Sequence, residues 1–186
     1  MILVEIIKTH ICQITSKDGS HGTGFICNIS MGIIKYLKVL RTNNHIFPEK
    51  DIQPGQTIKF SINNDSKKYN IFIDNTRKTY ANIFYEVSII EIKEKDGIDE
   101  KSFFNIDEQF GENECKNFQI FVLHYPKEEG ASFSNGIIKK IKEDNITIHH
   151  SFNTDKGSTG SPIINKGNFK VIDRFQKDLH LKIKQK

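Results

Sequence analysis

Tryptophan is absent from this 186-residue chain, cysteine occurs three times, and only three arginines accompany 24 lysines. Each shortage removes a class of protein. Cys12, Cys27 and Cys115 form an odd set without a Cys-x-x-Cys pair, so neither a disulfide framework nor a zinc site is indicated. A reducing, cytoplasmic location is the expectation. The opening MILVEIIK agrees: it is broken by Glu5 and closed by Lys8, too short and wrongly ordered for a signal peptide. No run approaches the ~18 apolar residues of a membrane span. The net charge of +4 is spread along the chain, and a nucleic-acid surface leans on arginine for bidentate contacts. No nucleic-acid or membrane partner is expected. There is also no long Gly, Ser or Pro tract, and with 37% hydrophobic and 27% charged residues the composition is that of a folded domain.

What the chain does have is a hydrophobic period of two. HICQITSK, GTGFICNI, IIKYLKVL, QTIKFSI, KKYNIFI, EVSIIEI, NFQIFVLHY, NGIIKKI, NITIHHSF and NFKVI are short β-branched and aromatic runs between Asn, Asp, Gly, Lys and Pro turns. They predict an all-β fold, a sandwich or barrel. SKDGSHG, SINNDSKKY and KEDN read as hairpin connections. The composition shifts once, over 92–117, which is polar, acidic and poor in strand pattern. That stretch divides the chain into a first barrel half over 1–95, a linker over 96–116 and a second half over 117–186; a long surface loop within one barrel is the other reading. The tail QKDLHLKIKQK reads as a short helix or a frayed end.

Three local features follow one another. TNNHIF carries His45 just after a strand, EVSIIEI begins with Glu86, and TDKGSTGSPII contains a Gly-x-x-Gly turn that presents Thr159. Nucleophilic acyl transfer needs a base in reach of a hydroxyl, an acid to fix the tautomer of that base, and backbone N–H groups aimed at the developing oxyanion.

With these motifs the chain resembles the trypsin-like, chymotrypsin-fold serine peptidases. TNNHI is similar to the family's segment ending in the base histidine, EVSIIEI to its acid-led strand, and GSTGSPI to its nucleophile turn. The resemblance runs from about Gly22 to Ile164, with 41 and 73 residues between the successive triad positions. LHYP at 123–126, followed by SFSNGII, resembles the opening hairpin of the family's second barrel. The resemblance implies two antiparallel β-barrels with the site in the cleft between them. In that cleft His45 would be general base, Glu86 the orienting acid and Thr159 the nucleophile. The N–H groups of Gly157 and Thr159 would form the oxyanion hole, and Asn153 the uncharged floor of the substrate pocket. The implied function is endopeptidase action on a peptide or protein substrate, without cofactor or metal.

The chain departs from the family at several points. Threonine stands where serine is usual, and its extra methyl stiffens χ1. Glutamate replaces aspartate, and Asp173 and Arg174 follow Ile164 where small apolar residues and glycine are expected. Ser158 replaces the acid that pairs with a freed N-terminus in zymogen-type members, so activation by N-terminal cleavage is not expected. A second reading therefore stands beside the first: an inactive peptidase homologue whose cleft binds a peptide or protein.

The remaining polar residues read more plainly. His149 and His150 are adjacent on a strand and face opposite sides, which excludes joint ligation of one ion from one face. His10, His21, His124 and His180 have no partner spacing. Gly22 and Gly24 read as a strand-turn device rather than a phosphate cradle, and Phe118 and Phe121 as barrel core.

Overall fold

The structure, a computed structural model, describes residues 8–31, 35–62, 66–107, 110, 118–126, 130–141, 148–152 and 156–173. Eight strands make the first sheet: β1 (Ile11–Thr15), β2 (His21–Ser30), β3 (Tyr36–Thr42), β4 (Thr57–Ile62), β5 (Lys67–Phe72), β6 (Thr79–Asn82), β7 (Val87–Glu91) and β8 (Phe104–Asn105). Their order is β5-β4-β1-β2-β3-β7-β6, antiparallel throughout, with β8 added parallel to β2. The second sheet comprises β9 (Gln119–His124), β10 (Ser132–Ile141), β11 (Ile148–His150) and β12 (Ile163–Asn165), in the order β11-β10-β9-β12.

β2 shows why the first sheet curls. Its residues His21 to Phe25 pair with β1 and its residues Phe25 to Ser30 pair with β3, so the two neighbours are staggered along it. Stagger of this kind is what lets a sheet coil towards closure. Gly22 and Gly24 sit in the β1-paired half, where a Cβ would meet Ile46 Cδ1 at 2.6 Å and Ile14 Cδ1 at 2.7 Å. They are packing positions in a strand, and the isoleucines fill the space they leave.

The period-two alternation sorts apolar side chains into separate cores. On β7, Val87 and Ile89 join a core shared by the two sheets, whereas Ile90 and the following Ile92 point into the first barrel with Ile14, Leu40, Ile58 and Phe60. On β9, Phe121 and Leu123 belong to the shared core, while Ile120 and Val122 face Ile138 and Phe152 across the second sheet. Phe121 is buried and Phe118 packs against this last cluster.

Some local features differ from the sequence pattern. Within 96–116, Phe103 enters the first barrel and Phe104 and Ile106 enter the shared core, so this polar stretch is anchored by buried apolar side chains. NFKVI does not form a strand: Phe169 takes φ +59°, and only Val171 bridges, to Ile106 and Ile164. KEDN and the tail lie outside the described residues. No helix among the described residues is long and apolar enough to cross a membrane.

Candidate active site

His45 is carried by the turn that leaves β3. The N–H groups of Ile46 and Phe47 both donate to Asn43 O, and Ile46 and Phe47 are buried beneath the turn. His45, which directly precedes them, is left exposed. Ser88, on β7, fixes the turn from below: its hydroxyl donates to Phe47 O at 2.6 Å, and Asn44 Nδ2 donates to Ser88 Oγ at 3.3 Å. The histidine turn is thus pinned to the strand that starts just after Glu86.

Glu86 ends the β6–β7 hairpin in a left-handed conformation, φ +48°. The preceding residues are ordered by Asn82, whose Oδ1 accepts from the N–H groups of Phe84 and Tyr85 at 2.9 and 3.1 Å. This geometry sends the Glu86 carboxylate to the imidazole. Glu86 Oε2 lies 2.9 Å from His45 Nδ1, with both side chains about half exposed. A carboxylate on Nδ1 selects the tautomer that keeps the proton there and leaves Nε2 able to accept one.

The third element is the turn 157–161, between β11 and β12. Gly157 and Gly160 take φ +88° and +87°. At Gly160 a Cβ would lie 2.0 Å from Thr23 O and 2.6 Å from Thr42 Oγ1, so only glycine lets the turn seat against β2 and the end of β3. Because Thr42 directly precedes the histidine turn, the same seating brings the second sheet up to His45. Ser161 closes the turn, its N–H and hydroxyl both donating to Ser158 O, at 3.2 and 2.6 Å. Ser158 turns inward, where its hydroxyl meets His124 Nδ1. His124 therefore has a partner 34 residues away, which local spacing could not reveal. Among the described residues, the N–H groups of Gly157 and Thr159 have no hydrogen-bond partner. Backbone donors left open at a turn are what an oxyanion requires.

Glu86 and the Gly160–Ser161 end of the turn line one cleft of about 280 Å³, together with Tyr85 and Asp173. Asp173 is explained by its partner: it forms a buried ion pair with Arg41 of β3, which also lines the cleft. Burial lowers the Arg41 guanidinium to about 10. His150 borders the cleft as well; its ring stacks on Phe152, and burial lowers its pKa, favouring the neutral imidazole.

Of the residues expected from sequence, the structure joins His45 to Glu86 by a direct hydrogen bond. Thr159 lies on the turn whose Gly160–Ser161 end lines the cleft with Glu86, without a hydrogen bond between Thr159 and His45. Asn153, Arg174 and Cys115 lie outside the described residues. No group of three or more metal-ligating side chains occurs among the described residues.

No protein-family model matches the chain, and no curated protein matches it in sequence. Solved structures do. The serine endoprotease from Yersinia pestis is similar at a TM-score of 0.63 and 11% identity, covering 98% of this chain and 65% of its own. The Rv3671c protease in its inactive form is similar at a TM-score of 0.65 and 12% identity, covering 97% of this chain and 91% of its own. This chain thus spans about two thirds of the length of the Yersinia pestis structure. With its curled antiparallel sheet, its second sheet and these structural neighbours, the chain has the all-β, two-barrel fold of the trypsin-like serine peptidases.

Proposed function

We propose that the chain is an endopeptidase of the trypsin-like type, hydrolysing peptide bonds through His45, Glu86 and Thr159. The observation that carries the reading is the 2.9 Å His45–Glu86 hydrogen bond, with Glu86 lining the same cleft as the Gly160–Ser161 end of the turn that carries the unbonded Gly157 and Thr159 N–H groups. In the first step Thr159 Oγ1 attacks the peptide carbonyl and its proton passes to His45 Nε2. Glu86 holds the ring and stabilises the imidazolium that forms. The carbonyl oxygen, now an anion, is met by the N–H groups of Gly157 and Thr159. His45 then returns the proton to the departing amine, leaving an ester on Thr159. Water, deprotonated by His45, attacks the ester, and His45 passes that proton to Thr159 Oγ1 as the ester C–O bond breaks and the acid is freed. Asn153 is the proposed pocket floor, and peptides or proteins are the proposed substrates.

The missing Thr159–His45 hydrogen bond favours a second reading, in which the cleft binds a peptide without cleaving it. Threonine's methyl restricts the rotamers that reach the imidazole, and serine lacks that restriction. Cleavage of an unstructured fluorogenic protein separates the readings. The peptidase reading predicts activity in the parent that His45→Ala removes. An inert parent beside an active Thr159→Ser variant would establish that the base and the oxyanion turn work and that threonine's methyl alone blocks the attack, and three inert proteins would favour the binding module.

A further inference from the structure

Thr23, fully buried on β2, makes more connections to the Thr159 turn than any feature of its sequence announces. Its N–H donates to Thr159 O at 2.8 Å, and its hydroxyl donates to Gly157 O at 2.6 Å. The same hydroxyl accepts from the N–H of Tyr125, which follows β9, at 3.0 Å. Its carbonyl accepts from Thr42 Oγ1 at 2.9 Å and forms the wall against which Gly160 sits. One residue thus ties β2, the end of β3, the end of β9 and the turn to each other.

The consequence lies in the peptide planes. The Thr159 N–H belongs to the plane between residues 158 and 159. Thr23 holds the carbonyls of the planes on either side, one through Gly157 O and the other through Thr159 O. Ser158, between them, is held from the second sheet by His124. With its neighbouring planes fixed, the plane that carries the Thr159 N–H has little freedom to rotate. A single hydroxyl serves both Gly157 O and Tyr125 N–H, so an isosteric residue without it leaves an acceptor and a donor unsatisfied together.

We infer that Thr23 is the positioning residue for the oxyanion turn, acting through its side-chain hydroxyl from the opposite barrel; as a role in catalysis this rests on the peptidase reading above. It touches neither substrate nor the reacting atoms.

The test compares Thr23→Val, which keeps the shape and loses the hydroxyl, with Thr23→Ser, which keeps the hydroxyl. Two readouts are needed. In the active enzyme, Thr23→Val should lower kcat on the order of 10- to 100-fold with KM nearly unchanged, the effect of misplacing a reacting group by about an ångström; Thr23→Ser should recover most of the loss. Independently of any activity, the Ser161 amide, bonded to Ser158 O within the turn, should exchange with solvent at least about 10-fold faster in Thr23→Val than in Thr23→Ser. If the parent is inert, the peptidase reading fails and exchange alone decides the clamp. Should Thr23→Val not fold, Thr23→Ala is read in its place. Equal Ser161 exchange in the hydroxyl-free and hydroxyl-bearing variants, or a kcat loss as large in Thr23→Ser, would overturn the inference.

Discussion

A methyl group on Gly160 strikes the junction of the two barrels at its tightest point. The added Cβ would lie 2.0 Å from Thr23 O, where about 3 Å is the least that real contacts tolerate, so the turn must retreat by about 1 Å. That retreat stretches the 2.8 Å bond from Thr23 N–H to Thr159 O beyond hydrogen-bond range. Alanine at φ +87° adds a backbone cost of about 1–2 kcal/mol, and forced overpacking adds about 1–3 kcal/mol. Gly160→Ala should therefore destabilise the fold by about 2–5 kcal/mol, or roughly 4–20 °C in Tm for a chain of this size. Gly55→Ala is the control: Gly55 has φ +90° but nothing within 4 Å of its added Cβ, so it bears the backbone cost alone. Urea denaturation of the two variants beside the parent isolates the clash. If Gly160→Ala loses no more than Gly55→Ala, the turn is not seated on Thr23 as described and the reasoning about the junction fails.

Two further outcomes follow from charged groups in the first barrel. Arg77 is buried and bonds Asp96 through two nitrogens at 2.7 and 2.8 Å while also donating to Phe72 O and Glu91 O. Arg77→Met leaves the Asp96 carboxylate buried without its cation and should cost about 3–5 kcal/mol in urea denaturation, with a loss under about 1 kcal/mol contradicting this. Asp18, in the β1–β2 turn, is held down to about 2 by the Ser16 and Ser20 hydroxyls and the Ser20 N–H, against an ordinary 3.8. A carboxyl lowered on folding adds stability above its unfolded pKa and loses it as pH falls, here between about 3.8 and about 2. Asp18→Asn should flatten the stability curve in that window, whereas parallel curves for parent and variant would count against the turn's geometry.

The long alternating runs were legible because each strand meets a different apolar environment on its two faces, as Val87, Ile89, Ile90 and Ile92 illustrate. Short elements were not. β6 (Thr79–Asn82) is half-buried at every position, and β12 (Ile163–Asn165) has three residues directly behind Pro162, so neither carries a readable period. β8 is a two-residue parallel pairing with a strand some 77 residues earlier, which no local pattern encodes. The same contrast holds at the site. The His45 and Glu86 motifs could be picked out because each sits at a strand end, and their side chains meet. His124–Ser158, Arg41–Asp173 and the bonds around Thr23 link residues far apart in sequence, so only the folded chain reveals them. Asp173 looked out of place in the sequence because its partner, Arg41, belongs to the other barrel.

Covalent labelling tests the central claim most directly. A fluorophosphonate probe phosphonylates a hydroxyl activated by a neighbouring base, the hydroxyl oxygen bonding phosphorus as fluoride leaves and the base takes the proton, and peptide mapping by mass spectrometry locates the adduct. The account predicts an adduct on Thr159 in the parent, a faster one at the same position in Thr159→Ser, and none in His45→Ala. An unlabelled position 159 in both the parent and the serine variant would contradict it.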